Sequence, residues 1–139
     1  MATDELNEYA KKIQKEIIDQ ELKEFNEQIV KLFHNPPNWG ALTGSDVISH
    51  SYIGPCGDAI TFFLRIKDEI IQKANFTTTG CVASVATGAQ TTLLLEGKSV
   101  KDARLIQAEA IESALGGLPA DHKHCAELAA RTLQQLLTP

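Results

Sequence analysis

Ile60-Thr61-Phe62-Phe63-Leu64-Arg65-Ile66-Lys67-Asp68-Glu69-Ile70-Ile71-Gln72-Lys73-Ala74-Asn75-Phe76-Thr77-Thr78-Thr79-Gly80-Cys81 is the stretch on which the fold turns. Ile60, Phe62, Leu64 and Ile66 alternate with Thr61, Phe63, Arg65 and Lys67, the period of a strand with one face more buried than the other. Asp68 and Glu69 are polar enough to turn the chain, and a second strand follows over Ile70 to Thr78. At Cys81 the period changes. Val82, Val85, Ala86, Ala89 and Leu93 fall on one face of a helix. Upstream, residues 46–53 are rich in Val, Ile, Ser and Tyr and supply a third strand.

Helices flank this block on both sides. Residues 4–33 read as one long amphipathic helix. Leu6, Ala10, Ile13 and Ile17 mark its face, and Ile18, Leu22, Phe25, Ile29 and Leu32 continue it after a slip of one residue. Thr3 or Asp4 caps its start, and Pro36 and Pro37 forbid its continuation. The favoured expectation for its first part is a helix laid over its own domain. The competing expectation is a docking helix, or one that pairs in a homodimer. Downstream, Gly97 ends the helix that begins after Cys81, and Ser99 with Asp102 starts the next. Gly116, Gly117 and Pro119 break the chain before a last helix carrying Leu128, Ala129, Thr132, Leu133 and Leu136. Strands in one run between helices indicate α+β, a small antiparallel sheet of about three strands packed against helices, with no alternating βαβ units.

Composition narrows the class of function. The 139 residues suit one domain, with 43% apolar and 22% charged residues as in ordinary globular proteins. A net charge of −5 without a basic stripe argues against nucleic acid as a partner. No apolar run is long enough to span a membrane. Asp4, Glu5 and Glu8 stand where a signal peptide would be basic, so a cytoplasmic protein is expected.

The chemistry lies with three cysteines. Cys56 sits in the turn Gly54-Pro55-Cys56-Gly57-Asp58, Cys81 at a helix start after Gly80, and Cys125 after His124 at the start of the last helix. A thiolate is both metal ligand and nucleophile, and a helix N-terminus favours it. Asp58 and His124 add a carboxylate and an imidazole, and His122 with Lys123 would make the setting electropositive. His34 and His50 show no such arrangement and read as structural or solvent-exposed. Separations of 25 residues (56 to 81) and 44 residues (81 to 125) exclude a zinc finger, whose ligands come in close pairs. They also do not read as a secreted disulfide framework. Three unrelated buried cysteines are the plain alternative, but Pro55, Gly57 and Asp58 make a poor core around Cys56. Asp58 also has a plain reading as a turn residue bonded to its own loop.

These segments carry a family likeness. Phe33-His34-Asn35-Pro36-Pro37-Asn38-Trp39-Gly40, Gly54-Pro55-Cys56-Gly57-Asp58, Phe76-Thr77-Thr78-Thr79-Gly80-Cys81, Glu96-Gly97-Lys98-Ser99, and Leu118-Pro119 followed by His124-Cys125-Ala126-Glu127-Leu128-Ala129 occur in order. Together they resemble the IscU/NifU-type scaffold proteins of iron–sulfur cluster assembly. The resemblance runs from about Leu22 to the C-terminus. It divides the chain into a helical extension over residues 1–21 and a scaffold domain over residues 22–139.

The resemblance implies an assembly scaffold, with no small-molecule turnover. Iron and desulfurase-derived sulfur would form a transient [2Fe–2S] cluster on Cys56, Cys81 and Cys125, with Asp58 or His124 as fourth ligand. The cluster would then pass to apo iron–sulfur proteins. Soft thiolates suit such clusters, and a harder carboxylate at Asp58 would ease release. Cys125 matches the family's persulfide acceptor, and a cysteine desulfurase is the implied donor. Zinc could take the same donors. A zinc-binding sulfur acceptor that stimulates a desulfurase is therefore the alternative, although the uninserted gap between Cys81 and Cys125 resembles the scaffolds instead. A zinc hydrolase would use Asp58 as base, and no HExxH pattern supports it. A structural zinc domain ranks last, since a chain of this size folds without metal. The family's chaperone-binding Leu-Pro-Pro-Val-Lys is here Leu118-Pro119-Ala120-Asp121-His122, and the charge of Asp121 argues against that chaperone as a partner.

Overall fold

The structure is a computed structural model that describes every residue except Met1, Cys56 and Pro139. Its elements follow in order α1 (Ala2–Leu22), α2 (Glu27–His34), β1 (Val47–Ile53), β2 (Ala59–Lys67), β3 (Ile70–Thr78), α3 (Val82–Leu95), α4 (Val100–Ala103), α5 (Ala108–Ala114), a 3₁₀ turn (Ala120–His122) and α6 (His124–Leu137). The strands form one antiparallel sheet in the order β1-β2-β3, with Ile53 opposite Ala59 and Ile60 opposite Thr78. Ile60, Phe62 and Leu64 are buried on one face of β2, as their alternation predicts. Asp68 and Glu69 both take positive φ, +54° and +65°, and so make the tight link to β3.

The sheet packs on α3, which is the hub of the molecule and touches β3, α2, α5 and α6. Neighbours on so many sides bury far more of α3 than a single stripe. Ser84, Thr87, Gly88, Thr91 and Thr92 lie inside with the aliphatic residues. Leu93, expected on the core face, is instead 45% exposed, because it points to the one side that no element covers. Small residues let the layers approach. A Cβ on Gly88 would overlap the Phe76 ring of β3.

The N-terminal expectation needs correction. One helix over 4–33 is two, broken at residues 23–26. Asn26 restarts the chain: its Oδ1 accepts from the Ile29 amide at 2.9 Å, and its Nδ2 donates to the Leu115 carbonyl at 3.0 Å. Phe25 is buried beside it. The one-residue slip in the apolar pattern marks a change of surroundings within α1. Ile18 packs against the core, whereas Ile17 is exposed. Nor does α1 lie over its own domain. Leu6 and Tyr9 are 66% and 64% exposed, and the helix touches the rest of the molecule chiefly at its C-terminal end through α2. Glu21 of α1 holds His34 of α2 at 2.6 Å.

Candidate metal and sulfur centre

Three loops meet at one end of the sheet. The first, Gly54 to Asp58, joins β1 to β2. It closes on itself through Gly57 N–H to the Gly54 carbonyl and Gly54 N–H to the Asp58 carbonyl, both at 2.9 Å. Gly57 has φ of +90°, a conformation that L side chains rarely adopt. Cys56 lies in this loop, outside the described residues. Asp58 is half-buried, and its carboxylate turns toward the second loop, with Oδ2 3.3 Å from the point where a Gly80 Cβ would stand.

The second loop, Thr79 to Cys81, leads from β3 into α3. It is tied to the first: Thr79 N–H donates to the Ala59 carbonyl at 3.1 Å, and Ala59 N–H to Thr79 Oγ1 at 3.0 Å. Cys81 is the N-cap residue of α3, as expected, and its side chain is exposed. Its thiol caps none of the helix amides, so it stands at the positive end of the helix dipole with its sulfur uncommitted to the cap.

The third segment runs from Leu118 through the 3₁₀ turn into α6. Cys125 is in the first turn of α6 and is 3% exposed, whereas His124 beside it is exposed. Around the Cys125 sulfur are Ser84 Oγ at 3.6 Å and His124 Nε2 at 3.8 Å. His122 stacks on His124, with centroids 6.4 Å apart, and packs against Phe25. The electropositive setting expected from His122 and Lys123 is offset by carboxylates. His122 Nε2 meets Glu24 Oε1 at 2.9 Å, and Lys123 Nζ meets Glu112 Oε1 at 3.5 Å. His34 and His50 are remote from this chemistry, His50 bonding Gln135 at 2.8 Å.

The structure thus brings Asp58 to Gly80 beside Cys81, and Cys125 to His124 and to Ser84 at the start of α3. Among the described residues, no three of Cys, His, Asp and Glu stand close enough to grip a metal ion together. A cleft of about 420 Å³ opens on the flank of this end, lined by Gly54, Pro55, His124 and Leu128 with Tyr52 and Arg131. Ser84 was not singled out by its sequence. A serine three residues into a helix looks like any first-turn hydroxyl, and its sulfur partner is 41 residues away.

Comparison with known proteins identifies the family of the chain. The family model described as "NifU-like N terminal domain" matches residues 24–138. An iron–sulfur cluster assembly scaffold protein IscU of Archaeoglobus fulgidus is 34% identical over 113 residues, covering 81% of this chain and 74% of that protein. The IscU scaffold protein of Aquifex aeolicus is 32% identical over 112 residues, covering 79% and 71%. Among solved structures, a putative iron–sulfur cluster assembly scaffold protein for the SUF system from Fervidobacterium islandicum superposes with a TM-score of 0.62. It shares 19% identity over 82% of this chain and 96% of that one, a likeness of fold. With the match covering all but the first helix and the chain ends, this protein belongs to the NifU-like N-terminal domain family.

Proposed function

We propose that this protein is a scaffold on which iron–sulfur clusters are assembled and from which they are handed to apo-proteins. One observation carries the reading: in a chain of this family, Asp58, Cys81, His124 and Cys125 gather at a single end of the fold, from the β1–β2 loop, the start of α3 and the start of α6. The cluster is cargo. Its proposed form is [2Fe–2S], held by Cys56, Cys81 and Cys125 with Asp58 or His124 completing the set. Zinc suits the same donors and would occupy the site when iron and sulfide are scarce. The proposed setting is the cytoplasm, where thiols stay reduced.

Sulfur arrives as a persulfide on a cysteine desulfurase. The Cys125 thiolate attacks its outer sulfur, a new S–S bond forms on Cys125, and the desulfurase cysteine leaves as thiolate, with no net oxidation. His124, 3.8 Å from the Cys125 sulfur, is a group within reach to take up the thiol proton. Cys125 is buried, so transfer requires its sulfur to become accessible to the donor. Release falls to the Asp58 side, where a hard, exchangeable carboxylate stands beside the exposed Cys81 end.

Anaerobic incubation with ferrous iron and sulfide, followed by absorbance and metal and sulfide analysis, tests the assignment. The wild-type protein should bind a cluster, and Cys56→Ser, Cys81→Ser and Cys125→Ser should each lose stable binding while keeping the fold. After incubation with desulfurase and cysteine, mass spectrometry should find added sulfur chiefly on Cys125. Added sulfur chiefly on Cys81 would move the acceptor role there.

A further inference from the structure

We infer that Ser84 is a positioning residue for Cys125, its hydroxyl donating a hydrogen bond that holds the sulfur in one orientation. The inference rests on the scaffold reading above and adds to it a residue outside the cysteine, aspartate and histidine set. α3 buries four hydroxyl side chains. Three of them turn back on their own helix: Thr87 Oγ1 donates to the Ala83 carbonyl, Thr91 Oγ1 to Thr87, and Thr92 Oγ1 to Ala89, at 2.6 to 2.7 Å. Ser84, 4% exposed, differs from them. Four residues before it stands Gly80, which precedes the helix, and its Oγ lies 3.6 Å from Cys125 Sγ across the interface between α3 and α6. A buried hydroxyl left without a partner is costly, so this contact is one the fold has reason to keep.

The surroundings preserve it. A Cβ on Gly80 would overlap the Ser84 side chain, so the glycine provides the space that the serine occupies. Asp58 Oδ2 borders the same space. A thiolate or a cluster-bound sulfur has no proton to give, so toward either of them the serine must be the donor. Hydrogen bonds to ligand sulfurs are one of the levers that set a cluster's reduction potential. A donor withdraws charge from the sulfur and favours the reduced, more negative cluster.

Ser84→Ala and Ser84→Thr test this, with thermal unfolding of the cluster-free proteins as a check that both fold. In cluster-loaded protein, Ser84→Ala should shift the reduction potential to more negative values and shorten cluster lifetime several-fold, and Ser84→Thr should restore both toward wild type. In cluster-free protein treated with inorganic polysulfide, Ser84→Ala should spread added sulfur from Cys125 toward Cys81, again with recovery in Ser84→Thr. Wild-type potential and wild-type sulfur distribution in Ser84→Ala would overturn the role, as would a folded Ser84→Thr that recovers neither. Should the wild type bind no cluster at all, the scaffold reading fails, and the polysulfide distribution alone decides for or against Ser84.

Discussion

Gly88 and Asp58 show how one atom's position decides between competing effects. In an exposed helix, Gly→Ala stabilises by up to about 1 kcal/mol through lower chain entropy. Gly88 faces the Phe76 ring with no room for a methyl group, and overpacking a core costs about 1–3 kcal/mol. The overlap outweighs the propensity, so Gly88→Ala should lower the denaturant midpoint and Phe76→Leu should recover part of the loss. Equal or higher stability in Gly88→Ala would mean that the sheet and α3 are not packed as described. Asp58 is set apart by its neighbours. Its carbonyl closes the β1–β2 loop while its carboxylate lies beside Gly80. Asp58→Ala should leave the loop bond intact, keep or lengthen cluster lifetime, and slow transfer to an apo-ferredoxin. Transfer at the wild-type rate with unchanged lifetime would return Asp58 to the role of a turn residue.

At the scale of elements, local patterns carried most of the architecture. The two-residue period of Ile60 to Ile66, the polar pair Asp68-Glu69, the Cys81 helix start and the Ser99 cap all reappear, with Ser99 Oγ accepting from Asp102 N–H at 3.1 Å. What stayed illegible depends on contacts distant in sequence. The break after Leu22 hinges on Asn26 reaching Leu115, 89 residues on, while the apolar pattern runs past the break. Leu93 matches the apolar phase of α3, yet tertiary neighbours cover every side of that helix except its own. The site divides in the same way. The helix-start positions of Cys81, His124 and Cys125 were legible from their local settings, but the carboxylates that offset His122 and Lys123 come from residues 24 and 112.

For the molecule as a whole, α1 stands apart. Its apolar stripe of Leu6, Ile13 and Ile17 is exposed, so α1 lacks the tertiary packing of an amphipathic face that supplies most helical stability in proteins. The matched family region begins at residue 24, after α1 ends. Removal of residues 1–21 should therefore leave a protein that melts within a few degrees of the full chain and still assembles clusters. It would also lose the Glu21–His34 contact, a partly exposed pair worth about 0–1 kcal/mol. If α1 pairs two copies, light scattering should show a dimer for the full chain and a monomer for the truncated one. Collapse of the truncated protein would place α1 inside the folding unit.

The gathering of the proposed site at the ends of elements, in the β1–β2 loop and at the starts of α3 and α6, has a thermodynamic consequence. Proteins open in patches whose free energies range from near zero at loops to the global value in central strands and helices. β2 lies between two strands and α3 among four elements, so amide exchange there should require global unfolding. The segments around Cys81 and His124 can breathe at a fraction of that cost. A container built this way can slacken its grip on its contents while its walls stay standing.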